Sequence, residues 1–147
     1  MTIYLATASE LQSKVKELRS HFRQNGLKVN ADWIDLDFSL HYSPAQLDEE
    51  ARKDLMAIDA ADVFVLYNPM SHQRGGTGGR HVEMGYALAR QVPVIVIGEK
   101  RENVFQSLNE VTFLEWANHK RMDLLAEALM LVLREQYAEL REGSGTV

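Results

Sequence analysis

The residues best suited to chemistry lie in one short stretch, Gly75-Gly76-Thr77-Gly78-Gly79-Arg80-His81-Val82-Glu83-Met84-Gly85-Tyr86-Ala87. Four glycines within five positions are costly in chain entropy, so such a loop is expected where something approaches the backbone closely. The plainer alternative is a loop that merely crosses the edge of a sheet. Glu83 falls near the start of a predicted helix, where the positive end of the macrodipole and the free amides favour an ionised carboxylate. That is the state a nucleophile requires, although a glutamate on a solvated face would complement the dipole equally well. Beside glycines that admit a flat ligand, at the carboxyl edge of a parallel sheet, the carboxylate suits attack on an anomeric carbon. Such cleavage also asks for a proton donor to the leaving group. Asp54 is the candidate, acting on a ring nitrogen of a heterocycle; its alternative is an exposed acid at a helix end.

Other groups are weighed against plain structural roles. The glycine loop has neither Gly-x-Gly-x-x-Gly nor the Lys-Ser/Thr of a P-loop, and it follows the third predicted strand, not the first. His72 and His81 flank it at no familiar metal spacing, and the chain has no cysteine, so a zinc site is not expected; no cofactor is expected either. Arg74 and Arg80 bracket the loop, where a guanidinium grips a carboxylate or phosphate bidentately or else stays solvated. Trp33 is either a core residue at a strand end or a surface on which a base stacks. Asn68, the polar residue closing the third strand, joins Gly78, Gly79, Arg80, His81 and Asn103 as a candidate for substrate binding. His21, His41 and His119 are expected at the surface.

The elements that must position these residues follow from periodicity. Thr2–Ala8 is apolar and rich in β-formers. Leu11, Val15, Leu18 and Phe22 then share one helical face, with Ser9 and Gln12 at capping-box spacing and Asn25-Gly26 as a left-handed stop. Val29–Ile34 is predicted as a second strand. Ser43-Pro44-Ala45-Gln46 combines an N-cap, a proline at the first helical position and a capping-box glutamine, and predicts a helix to about Ala60. Asp62–Tyr67 and Pro93–Ile97 are continuous apolar runs suited to strands covered on both faces. Gly79–Gln91 is a predicted helix, Val111–Trp116 a short β-rich stretch, and Met122, Leu125, Leu129, Leu133 and Tyr137 mark a long amphipathic final helix. Strands alternating with helices predict an α/β domain with a mainly parallel sheet and right-handed crossovers. Ligands in such sheets bind beyond the strands' carboxyl ends, which here means the loops after Ala6, Ile34, Tyr67 and Ile97. Residues 1–142 are expected to form a single domain, with 143–147 as a flexible tail.

Composition narrows the setting. The 147 residues are 46% hydrophobic and 25% charged, close to globular averages. With 16 basic against 21 acidic residues the formal charge is −5, which disfavours a nucleic-acid polymer or an anionic membrane surface as partner. No apolar run approaches the ~20 residues of a membrane span, and Met1–Ala8 has no basic leader, so a cytoplasmic protein is expected.

Thr2-Ile3-Tyr4-Leu5 at the start, Asp54-Leu55-x-x-Ile58 before the third strand, Gly79-x-x-x-Glu83-x-Gly85-Tyr86-Ala87 after it and Pro93-Val94 opening the fourth resemble the nucleoside 2-deoxyribosyltransferase family and its nucleotide N-glycosidase relatives. The resemblance spans residues 2 to about 105. It implies a flavodoxin-like (Rossmann-like) three-layer sandwich on about five strands, a homodimer or higher oligomer with sites near subunit interfaces, and no metal. It also implies N-glycosidic cleavage of a small nucleoside or nucleotide through a covalent glycosyl-enzyme, the sugar passing to water or to another base. By the same resemblance Glu83 is the nucleophile and Tyr4 holds its carboxylate. Asp54 helps to bind or protonate the base, and Asn103 corresponds to an asparagine lent to a neighbouring subunit. The chain departs from the pattern at Thr77, where the transferases carry aspartate, and Thr7-Ala8-Ser9 keeps only hydroxyls of a phosphate-handling turn. The glycine string also resembles that of phosphoribohydrolases in the lysine-decarboxylase-like group. A non-catalytic nucleotide-sensing module is the reading from another class.

Overall fold

The computed structural model describes residues 1–69 and 78–137; Gly75, Gly76, Thr77, His72, Arg74 and the expected tail 143–147 lie outside the described residues. Five strands, β1 (Thr2–Ala6), β2 (Lys28–Val29), β3 (Val63–Tyr67), β4 (Val94–Gly98) and β5 (Val111–Glu115), form one all-parallel sheet in the order β2-β1-β3-β4-β5. Four helices, α1 (Gln12–Gln24), α2 (Pro44–Asp59), α3 (Gly79–Ala89) and α4 (Met122–Gln136), cover it, with α1 packed beside α4 and α2 beside α3. This is the flavodoxin-like three-layer α/β arrangement. Its strand order reverses between β1 and β3, so a crevice opens there at the carboxyl ends of the strands.

The core explains the apolar runs. Every residue of β3 and β4 is buried, and Ile3 to Ala6 of β1 are fully buried. Each such Ile, Leu or Phe contributes roughly 1.5–3 kcal/mol by leaving water. The register sets Tyr4 opposite Phe64, and the two rings stack at 5.6 Å between centroids, 10° from parallel. Helix α2 begins as predicted: Ser43 Oγ accepts from the Gln46 amide, Gln46 Oε1 accepts from the Ser43 amide, and Pro44 occupies the first turn. Gly26 ends the segment after α1 at φ +82°, the left-handed stop expected of Asn25-Gly26.

Two local expectations are corrected. The second strand is only Lys28–Val29, and Asp32–Asp35 form a 3-10 turn in place of an extended run to Ile34. The Trp33 indole N–H donates to the Leu5 carbonyl at 2.8 Å, which pulls this segment over the end of β1 and out of sheet register. Ser9 does not cap α1. Ser9–Leu11 is itself a 3-10 turn, and the Gln12 amide donates to the Leu36 and Trp33 carbonyls at 2.8 and 3.3 Å, tethering the segment that follows β2.

At the end of β4, Gly98 runs so close to β3 that a Cβ there would stand 2.5 Å from the Asn68 carbonyl oxygen. That atom is backbone and cannot swing aside. Gly98→Ala should therefore cost about 1–3 kcal/mol of stability, measured by urea unfolding; an unchanged midpoint would show that the two strand ends part freely.

Candidate active site

Three side chains from three elements meet on the α2/α3 side of the crevice. Tyr4 in β1 donates its hydroxyl hydrogen to Glu83 Oε2, and Glu83 is the fifth residue of α3. Asp54, in the fourth turn of α2, lies close enough to act electrostatically on both. Helix α3 starts directly from the glycine loop, with Gly78 in the left-handed region at φ +84°. That conformation suits glycine. A cavity of ≈ 260 Å³ opens over the group. Among the described residues it is lined by Thr7, Ala8 and Ser9 after β1, Trp33, Leu36 and Phe38 after β2, Leu47, Glu50, Ala51 and Asp54 along α2, and Gly78 to Arg80 with Glu83.

Burial sets the electrostatics. The Glu83 carboxyl is pushed up to about 7, first by loss of water and further by the Asp54 charge, against the lowering effect of the Tyr4 hydrogen bond. The sequence expectation of a carboxylate ionised near a helix start differs from this: burial beside Tyr4 and Asp54 raises the Glu83 carboxyl instead. Asp54 is pushed up to about 6, first by desolvation, then by the charges of Glu50 and Asp32, with Tyr4 and Lys53 opposing. Burial, with Glu83 and Asp54 beside it, drives the Tyr4 phenol far above its usual range, so it remains a donor at any working pH. The charge of Asp54 contributes to the rise of Glu83, so the two carboxyls are not independent.

The structure divides the expected binding residues. Gly78, Gly79 and Arg80 line the cavity. Asn68 and His81 do not; they gather with Arg80 around Glu102 in the β4–β5 connection. Arg80 Nε donates to Asn68 Oδ1 at 3.1 Å, Asn68 Nδ2 to Glu102 Oε2 at 2.9 Å, and Arg80 and His81 reach Glu102 at 3.3 and 3.2 Å. The buried Gln106 accepts from the Glu102 amide at 2.7 Å. Arg80 is thus a buried ion-pair partner, not a solvated arginine. Asn103 caps the 3-10 turn Val104–Ser107 by accepting from the Phe105 amide at 3.0 Å and does not line the cavity. Asp54 is half-buried, not an exposed helix-end acid.

His119 departs from its expected surface place. It stands between Tyr67, whose hydroxyl is 2.9 Å from Nδ1, and Glu99, 2.5 Å from Nε2, on the other face of the sheet. Trp33 is a core residue that also forms one edge of the cavity. The sequence reading missed Glu50. Its signal was the spacing of Leu47, Glu50, Ala51 and Asp54, which at i, i+3, i+4 and i+7 share one helical face. Among the described residues no group of three or more His, Asp or Glu could hold a metal, and no helix is long and apolar enough to cross a membrane.

The raised Glu83 carboxyl leaves a mark on stability. Between its ordinary value of 4.5 and about 7 the folded protein binds a proton that the unfolded chain has released. Stability therefore falls as pH rises through that window, and the full penalty of the buried charge persists above it. Glu83→Gln keeps an acceptor for Tyr4 without the charge. It should raise Tm by several degrees at pH 8, at roughly 2–4 °C for each kcal/mol in a chain of this size, with the gain fading towards pH 4.5. A pH-independent difference in thermal melts would refute the assignment of charge burial to Glu83.

No family model matches the chain, and no curated protein matches it in sequence. Solved structures do match. A CMP N-glycosidase, BcmB, from Clostridium botulinum is 18% identical, with 85% of this chain and 98% of that one covered at a TM-score of 0.59. A 2-deoxyribosyltransferase from Bacillus psychrosaccharolyticus is 17% identical, with 81% and 88% covered at a TM-score of 0.58. Both are of the kinds that the sequence resembles. At these identities what they share with this chain is the fold.

Proposed function

We propose that this protein is an enzyme that cleaves the N-glycosidic bond of a small nucleoside or nucleotide, with Glu83 as nucleophile. The observation that carries the reading is the buried Glu83 carboxyl held by the Tyr4 hydroxyl next to Asp54, in a cavity at the switch point of the sheet. The neighbours named as a CMP N-glycosidase and a 2-deoxyribosyltransferase support it. Tyr4 engages Oε2 and so leaves Oε1 to approach the anomeric carbon. As the Oε1–carbon bond forms, the carbon–nitrogen bond breaks, its electron pair stays on the base, and Asp54 delivers a proton to a base nitrogen. Asp54, now a carboxylate, takes a proton from water attacking the glycosyl-Glu83 ester, which regenerates both groups; an acceptor base in place of water gives transfer. Tyr4 acts by orientation, since its proton stays on the phenol.

The chain is further proposed to work as a homo-oligomer. Val104 and Phe105 are 77% and 62% exposed beside Asn103, and Phe38 and Leu47 are half-exposed at the cavity mouth. A second copy covering these apolar groups would bring Asn103 to a neighbouring site. A monomer in sedimentation at micromolar concentration would end this part of the proposal.

The test is incubation with pooled nucleosides, deoxynucleosides and 5′-monophosphates, with and without an acceptor base, read by chromatography and intact mass. Free or exchanged base is expected, together with a glycosyl adduct that disappears in Glu83→Ala. Tyr4→Phe should slow turnover by roughly 10–100-fold, less than the loss of Glu83. Ligand-induced stabilisation without product from any substrate would instead mean a binding module. Because Glu83 must be ionised and Asp54 protonated, kcat/KM should trace a narrow bell whose limbs reflect the pair at about 6 and about 7. Asp54→Asn should remove the alkaline limb; retention of both limbs would remove Asp54 from proton transfer.

A further inference from the structure

The pocket-facing stripe of α2 bears on substrate choice, on the footing of the glycosidic reading above. Leu47, Glu50, Ala51 and Asp54 all line the cavity, and Trp33, Leu36 and Phe38 extend the same wall. Thr7, whose hydroxyl donates to the Tyr67 carbonyl, Ser9 and the Gly78-Gly79 backbone supply the polar part of the lining. A nucleoside has the same two-sidedness. Its flat, weakly polar heterocycle matches the apolar wall, and its hydroxylated sugar matches the hydroxyls and amides near Glu83. With the anomeric carbon at Glu83, the base lies along α2. Asp54 then meets the part of the base next to the glycosidic bond, and Glu50 stands one helical turn further, about 6 Å along the axis.

Glu50 is held rather than free to leave. Its side chain is 23% exposed, and Lys53 contacts only Oε1, at 3.3 Å. Oε2 has no hydrogen-bond partner among the described residues. A carboxylate only accepts hydrogen bonds, so it selects N–H groups and repels carbonyl oxygens. We propose that Glu50 reads the distal edge of the base, and that the site takes nucleosides whose base presents an exocyclic amino group there in preference to their keto counterparts. The adenine and cytosine edges qualify; hypoxanthine and uracil place an oxygen at the corresponding position.

Substrate pairs that differ in this group and in the ring nitrogen beside it provide the test: adenosine against inosine and cytidine against uridine, each also as the 2′-deoxynucleoside. Wild-type kcat/KM should favour the amino member of the accepted pair by roughly tenfold or more, the factor expected of one charge-assisted hydrogen bond. Glu50→Gln offers a donor as well as an acceptor, and should bring the ratio to within about threefold while turnover of the keto member is retained or rises. An equal or keto-favouring ratio in the wild type, or a ratio that Glu50→Gln leaves unmoved, overturns the inference and leaves the glycosidic reading standing. If no nucleoside is cleaved, the glycosidic reading fails instead. Selectivity is then read from thermal stabilisation by the same pairs, where no amino preference, or one insensitive to Glu50→Gln, overturns the role of Glu50 as well.

Discussion

The contact between Tyr4 and Glu83 is the constraint on which the arrangement of this molecule turns. A carboxyl removed from water needs a partner for its charged form, and here the partner is a phenol that cannot itself give up its proton. A guanidinium or ammonium in that place would drive the carboxyl low and hold it tightly, and a carboxylate so stabilised is a poor nucleophile. A neutral donor orients it at less cost to its reactivity. The phenol in turn must be fixed, and the parallel register of β1 on β3 does this by stacking its ring on Phe64. Only a fully buried central strand can hold a tyrosine that way, so the packing of the sheet and the poise of the carboxyl are one problem.

Glu102 shows the contrast. It too is removed from bulk water, but it faces Arg80, His81 and Asn68 together, with Gln106 holding its backbone. These groups join the first turn of α3 to the β4–β5 connection, across strands β3 and β4. The cluster fixes where α3 begins, and with it where Glu83, one turn further, is aimed. Two half-buried glutamates thus have different electrostatic surroundings, one bound by a guanidinium and an amide and one, among the described residues, by a phenol.

Much of this was legible in the chain because the signals were local. The runs Val63–Tyr67 and Val94–Gly98 have no period other than continuous apolarity, which a strand covered on both faces requires, and Ser43-Pro44-Ala45-Gln46 carries its own cap. Tyr4, Asp54 and Glu83 lie within elements that a doubly wound sheet brings to one side. What was not legible depends on partners distant in sequence. Val29, Ala31 and Trp33 alternate as a strand would, yet the Trp33 indole finds the Leu5 carbonyl and the chain turns. Ser9 and Gln12 have capping-box spacing, yet Gln12 reaches segment 33–36. The position of Glu83 along its helix suggested an ionised group, but burial beneath neighbouring elements is tertiary information, and it reverses the direction of the shift.

The acidity of the cavity suits the cleavage proposed above. Glu50, Asp54 and Glu83 line it, and Arg80, the one basic side chain lining it among the described residues, faces Glu102. Such a surface would favour a neutral nucleoside over its anionic 5′-monophosphate. Departure of a protonated base from an anomeric carbon places positive charge first on the base and then on the sugar as the bond lengthens. On the proposed mechanism, Glu50 and the ionised Glu83 would favour that developing charge over the neutral reactant, with Asp54 protonated to act as the acid. On that reading, the stability lost by burying Glu83 is the cost of having its charge in place beforehand, and the Tyr4 hydrogen bond offsets part of it.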